Sequence, residues 1–329
     1  MNLFTSVEIP KGLPQWNHSH HLMLLGSCFT THIGNRLSAG KFQSDTNPYG
    51  VLYNPLSIAL ALQQIREGKC YQPSDLFFHG GCWHSTLHHG DFSCPSVEET
   101  LQRINGRLTQ AHRESKRLDG LLLTFGTAWV YEDKESAQIV GNCHKLPERC
   151  FHRRMLSVDE IVTTYEQLLS AWWKECPGLK VLFTVSPIRH IRDGLHANQL
   201  SKSTLLLAVD TLQRCYPQQV SYFPAYEILM DELRDYRFYA ADMVHPSDVA
   251  VDWVWERWVQ AVFSKETQAV MQDCADIQKM LEHKPFHPQS EEYKRFLGQI
   301  VLKIERLNQK YPYLDFEKEI EICHTRLNI

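Results

Sequence analysis

No apolar run in the 329 residues approaches the ~18–20 that a bilayer-spanning helix needs, which excludes a helical membrane protein. The N-terminal stretch carries Glu8, Pro10, His18, His20 and His21 where a signal peptide needs an apolar core, so a cytoplasmic protein is expected. Neither charge sign is in excess. Thirty-four Lys and Arg face 38 Asp and Glu, a net charge of −4, so no basic field exists to attract nucleic acid or an anionic membrane. Ten cysteines contain no Cys-x-x-Cys pair, and the common zinc and thioredoxin spacings are therefore missing. In a chain of this size without an export signal, reduced thiols are the expected state. No metal, cofactor, nucleic acid or membrane partner is expected.

Glycine is nearly absent from the last fifth of the chain. Of 16 glycines only Gly298 follows residue 264, and 21 of the 66 residues from 264 to 329 are charged, against 22% overall. Phe296, Leu297, Ile300, Val301, Ile304 and Leu307 recur at helical spacing. The composition divides the chain into an α/β domain over 1–263 and a charged helical extension over 264–329, with a loop around 283–288. Those helices offer a surface for homo-oligomerisation or for packing on the domain.

The first 263 residues alternate short apolar runs with helical patterns. The runs are 22–27, 121–126, 180–186 and 220–223, each bounded by turn residues. Continuous apolar runs of this length suit strands covered on both faces, hence a parallel sheet. Helical spacing covers 28–37, 97–113, 158–173 and the stretch after Ser247. Alternation of this kind predicts a doubly wound α/β sheet, whose sites lie beyond the carboxyl ends of the strands.

Two features stand at those ends. Ser27 follows the first run and opens a helix, where free amides stabilise an oxyanion; helix capping is its commoner job. Asp242 and His245 precede the last helix of the α/β part. An Asp-x-x-His spacing lets the carboxylate reach Nδ1 and leave Nε2 free to take a proton from a hydroxyl. A turn residue and a surface His satisfy the same spacing.

Gly26-Ser27-Cys28-Phe29, with Thr30 in the fifth place, resembles the motif that names the GSCFA family, whose members are relatives of the SGNH (GDSL-type) esterases and acylhydrolases. Further segments resemble the same family: 47–55, 125–131, 141–145, 186–190, 222–227, 232–237 and 242–246. The resemblance spans roughly residues 20–263. It implies a flavodoxin-like, three-layer α/β/α fold with a Ser27 nucleophile, His245 as general base and Asp242 as its orienting acid. It further implies oxyanion donors from the amides of Ser27 and of a Gly after the second strand, for which Gly50 is the candidate. The Gly-x-Asn of SGNH enzymes reads Gly126-Thr127-Ala128 here, so its amide is missing. Asn142 is the candidate replacement.

Other groups compete for the site. His79, Cys82, His84, His88, His89 and Cys94 crowd into 16 residues; a metal site, a substrate-facing loop and plain surface are all open, although the spacings fit no zinc pattern. His88 and His89 are taken as substrate-binding candidates, with His144, Lys145, Arg189 and His190. Asn198 and Lys202 rank behind them. Cys28 and Cys143 invite a thiol mechanism, which needs a depressed pKa. Trp253, Trp255 and Trp258 read as core-facing helix surface. The function expected is a serine esterase that deacylates a small-molecule or glycan ester, an O-acetylated carbohydrate being one case. An O-acyltransferase and a non-catalytic carbohydrate- or acyl-binding protein on the same fold are the alternatives.

Overall fold

The computed structural model describes residues 5–327. Residues 1–4, which begin the N-terminal stretch read above, and 328–329, which end the charged tail, lie outside the described residues. The order is β1 (His21–Gly26), α1 (Cys28–Ala39), β2 (Gln43–Thr46), α2 (Pro55–Glu67), β3 (Phe77–His79), β4 (Cys82–His84), α3 (Val97–Ser115) and β5 (Gly120–Phe125). Then come β6 (Trp129–Asp133), β7 (Ile139–Val140), β8 (Phe151–Met155), α4 (Val158–Glu175), β9 (Lys180–Val185), α5 (Gly194–Cys215) and β10 (Val220–Tyr222). A single turn α6 (Ala225–Glu227), α7 (Asp248–Val262), α8 (Lys265–Glu282), α9 (Glu291–Lys310) and α10 (Glu317–Leu327) complete the chain.

The central sheet is parallel throughout, in the order β10-β9-β5-β1-β2. Numbered along this sheet alone the order is 2-1-3-4-5, the doubly wound flavodoxin-like arrangement. The two-residue period of a strand divides the sheet between two cores. Met23, Leu25, Leu121, Leu123, Phe125, Val181 and Phe183 point to the side carrying α2, α3, α4 and α5. Leu22, Leu24, Leu122 and Leu182 point to the side carrying Phe29, Ile33 and Leu37 of α1 and Val254, Trp258 and Val262 of α7. Both faces of β1 and β5 are thus covered, which is why these strands read as unbroken apolar runs. Of the three tryptophans of α7 only Trp258 is fully in that core. Trp255 is half-buried, and Trp253 turns away from it and bonds Glu232 Oε1 through its indole N–H at 2.7 Å, a correction to the core-facing reading of all three.

Two additions decorate this frame. β3 and β4 form an antiparallel hairpin across Gly80 and Gly81, and β6 pairs antiparallel with both β7 and β8. The second of these, through Trp129, Tyr131, Val140, Phe151 and Arg153, walls the cleft described below. Beyond Ser264, Val270, Ile277 and Leu281 of α8 share one apolar core with Leu297, Ile300 and Ile304 of α9 and Cys323 of α10. Lys41 after α1 bridges to Glu319 at 2.7 Å, so a polar contact joins this core to the α/β part. Because α8 belongs to that core, a chain cut at residue 264 is expected to keep the cooperative unfolding of the sheet, seen as a single transition by circular dichroism. A cut before Pro285 leaves the apolar face of α8 bare and is expected to aggregate.

Candidate active site

Ser27 sits at the strand-to-helix turn between β1 and α1. Its position is that of a helix cap, yet its side chain makes no capping bond. The hydroxyl Oγ is buried and has no hydrogen-bond partner among the described residues. An unmet buried hydroxyl costs ~1–3 kcal/mol, and such a group calls for an explanation. The turn is held from two sides. Gly26 N–H donates to Asn47 Oδ1 at 2.9 Å, and Leu52 N–H donates to Gly26 O at 3.0 Å. The segment 47–55 therefore serves as a clamp on the serine. Gly26 has no alternative: at φ +152°, an added Cβ would stand 2.3 Å from Thr124 O of β5. Gly26→Ala is expected to destabilise the fold by about 3 kcal/mol through that clash, read as a lower urea midpoint at unchanged slope.

Asp242 and His245 lie on the loop before α7. Asp242 Oδ2 accepts from His245 Nδ1 at 2.5 Å, while Oδ1 accepts from the amides of Val244 and His245, both at 2.9 Å. The amides of His245 and Val244, and then the imidazole, hold the Asp242 carboxyl down at about 2. The ring is thus oriented with Nε2 turned outward, and His245 lines a cleft of about 700 Å³ together with Ser27. The expected Ser27–His245 hydrogen bond is not formed, since Ser27 Oγ is unpaired. The histidine rides on an exposed loop, whereas the serine is locked in the turn.

The same cleft is lined by His89, Asn142, Lys145, Arg189 and His190. Asn142 Oδ1 accepts from His144 N–H at 2.9 Å, which fixes the side chain and leaves its amide NH2 without a partner among the described residues. Three sequence expectations need correction. Gly50 does not offer its amide to the cleft: the N–H closes a turn onto Asn47 O at 2.8 Å, and the glycine is required because φ is +74° and an added Cβ would meet His89 Cβ at 2.2 Å. His88 points inward, stacked on Tyr49 at 4.3 Å with Nδ1 against Ser85 Oγ, and burial pushes its pKa down to about 3. His144 is buried as well, its Nε2 bound to Ser85 O at 2.8 Å and its ring 4.3 Å from that of His84. In the same histidine-rich stretch His84 uses both nitrogens, on Ser93 Oγ and His79 O. Of the clustered histidines only His89 reaches the cleft.

The thiol alternative meets an electrostatic obstacle. Burial raises the Cys28 thiol despite the nearby helix amides, and burial pushes Cys143 up to about 11. A thiolate nucleophile needs the opposite shift. Burial, followed by the nearby Lys202 and His245, pushes His190 down to about 4.

Several cleft residues went unread in the sequence. Tyr53 meets His190 edge-on at 5.6 Å, and Arg153 stacks over Trp129 at 4.2 Å. The alternation of Trp129, Tyr131, Arg153 and Phe151 on β6 and β8 was the available signal. Lys202 lies below the cleft, wholly buried, and donates to Gly126 O at 2.6 Å and Ser186 O at 2.7 Å. Ala128, where an amide side chain was missed, is fully buried and gives its backbone N–H to Ser201 Oγ.

A doubly wound sheet with a serine turn and an Asp–His pair at its carboxyl edge defines the class. The chain belongs to the GSCFA family, whose model matches residues 21–258. A second match, to the GSCFA domain protein, C-terminal domain, covers residues 274–329. No curated protein matches the sequence. Among solved structures, an acetyl xylan esterase from the rumen bacterium Butyrivibrio proteoclasticus is similar at a TM-score of 0.36 and 10% identity, over 74% of this chain. The chain spans 63% of that structure's length. Among the described residues no helix is long and apolar enough to cross a membrane.

Proposed function

We propose that this protein is a serine-dependent ester hydrolase of the SGNH type, with Ser27 as nucleophile, His245 as general base and Asp242 as the group that orients it. One observation carries the reading. A buried, unpartnered serine hydroxyl and an imidazole already held by a carboxylate line one cleft. Capping, the ordinary explanation of Ser27, fails because no capping bond is made. In the reaction His245 Nε2 takes the hydroxyl proton as Ser27 Oγ bonds to the ester carbon. The alcohol leaves with that proton. Water, deprotonated by the same nitrogen, then releases the acid and restores Ser27. His245 closes onto Ser27 when substrate fills the cleft, as catalytic hydrogen bonds often do. Transfer to a sugar hydroxyl instead of water is the same chemistry with another acceptor.

The oxyanion forms beside the amide of Ser27 at the start of α1, since the first-turn amide of Thr30 is already spent on Ser27 O at 2.8 Å. Since Gly50 is spent on its own turn, the free amide NH2 of Asn142 is the natural second donor. Asn142→Ala is expected to lower kcat by about 10²–10³ with little change in KM, measured on a chromogenic ester.

A second reading, a carbohydrate- or acyl-binding protein on the same fold, is favoured by the open Ser27–His245 gap and by alanine at position 128. A fluorophosphonate probe separates the two. Labelling that disappears in Ser27→Ala supports the hydrolase; an unlabelled wild-type protein that still binds sugar or acyl ligands supports the binder.

A further inference from the structure

We infer that the cleft takes an ester bearing a second, negatively charged group, and that Arg189 is the side chain that binds it. The inference rests on the hydrolase reading above and adds a substrate class to it.

The cleft is lined by four permanent cations and two carboxylates: Lys145, Arg153, Arg189 and Arg192 against Glu148 and Asp193. Both carboxylates are already used. Arg153 forks onto Asp193, with one N–H at 2.6 Å, and Arg192 pairs with Glu148. Lys145 and Arg189 are left over. Lys145 is exposed and makes no side-chain bond among the described residues. Arg189 is half-buried, and its one acceptor is Met230 Sδ at 2.9 Å, a thioether and so a weak one. The rest of its fork has no acceptor among the described residues. Behind it lies the buried Lys202 amine, close enough for its ammonium form and the guanidinium to repel. A salt bridge to the sheet-end loops would be the structural use of Arg189, and that bridge is not there. A half-buried guanidinium without a carboxylate is a site for a planar anion, which meets it with two parallel bonds.

The sheet order sets where that anion lies relative to the reacting carbon. Ser27 ends β1 and Arg189 follows β9, with β5 between them. Two strand spacings amount to about 10 Å. The negative group therefore sits several bonds from the scissile carbonyl. A short dicarboxylic half-ester or an acylated sugar acid has that reach, whereas a simple acetate of a neutral alcohol leaves Arg189 unused.

Two 4-nitrophenyl esters of equal length test this: the half-ester of glutaric acid and its uncharged methyl ester. The charged ester is expected to show a kcat/KM about 10–100-fold higher, mainly through KM and weakening with added salt. In Arg189→Gln the ratio of the two is expected to approach one, and Arg189→Lys is expected to recover part of it. A ratio near one in the wild type, or one unchanged by Arg189→Gln, overturns the anion subsite and leaves the hydrolase reading standing. Binding of free glutarate to Ser27→Ala, followed by tryptophan fluorescence, gives a readout without turnover. Binding that is lost in Arg189→Gln supports the subsite even where neither ester is cleaved, an outcome that fells the hydrolase reading alone. Absence of glutarate binding at millimolar concentration also overturns the subsite.

Discussion

Ser27→Ala is expected to lower kcat by about 10⁶-fold on any ester the protein cleaves, and His245→Ala by as much. Groups that act as one unit lose their effect together, so the double variant is expected to be no worse than either single one. Asp242→Asn is expected to cost about 10⁴-fold. Its geometry makes this a clean substitution. The remaining oxygen still accepts from the amides of Val244 and His245, so the loop keeps its shape. The new NH2 faces His245 Nδ1 and donates to it, which forces the proton onto Nε2 and removes the base. The amides that hold Asp242 down at about 2 keep it charged through the whole range in which the protein is assayed. Loss of activity on acidification therefore belongs to another group. The serine substitution has a second signature. Ser27 Oγ is buried without a partner, so its removal is expected to raise stability by about 1 kcal/mol while abolishing turnover. Steady-state kinetics and urea unfolding on the same preparations check both halves. An Ser27→Ala protein that keeps its kcat ends the serine mechanism.

The residues that could be read from sequence are those whose environment is uniform. β1, β5 and β9 are covered on both faces and so declare themselves as apolar runs, and the helices over them repeat their apolar stripe. β2 escaped because Gln43–Thr46 is a half-buried edge strand with four polar residues. The strands β6 to β8 escaped because each carries a single buried side chain, Val130, Val140 and Phe151. Side-chain direction in loops was not legible either. His88 and His89 are neighbours of one type, yet stacking on Tyr49 draws the first inward while the second faces the cleft. Asp242 and His245 were legible because three residues of chain suffice to bring them together, whatever the rest of the fold does. Their relation to Ser27 depends on where a long loop comes to rest, which spacing does not encode. Lys202 and Asn198 were legible as second-rank binding candidates, but the spacing also carried a signal of their burial. With Leu205 and Val209 they fall on one helical stripe of α5, and all four are buried.

Lys202 is also the source of a pH dependence with a defined sign. The fold is expected to gain stability between about pH 7 and 10.5, at up to ~1.4 kcal/mol per pH unit, because of this one side chain. Burial, and next the nearby Arg189, push its ammonium down to about 7 from the ordinary 10.5. In that interval the unfolded chain holds a proton that the folded one has released. Unfolding then takes up a proton, and raising the pH opposes it. Below about 7 both states are protonated and the slope from this group vanishes. The neutral amine does not lose its structural task. It keeps two N–H groups for two acceptors, Gly126 O and Ser186 O, and so continues to tie α5 to the carboxyl ends of β5 and β9. Lys202→Met isolates the effect. Methionine fills the space but leaves both carbonyls unmet, each costing ~1–3 kcal/mol. The stability lost on substitution is therefore expected to be smallest near pH 7, where the wild type still bears its buried charge, and to grow steadily towards pH 10. Tyrosines and cysteines that titrate in this range are common to both proteins and cancel in the difference. Urea unfolding of the pair at half-unit steps of pH gives that difference directly. A flat difference from pH 7 to 10 would mean that Lys202 keeps its proton, and that the cation beneath the Ser27 cleft is permanent.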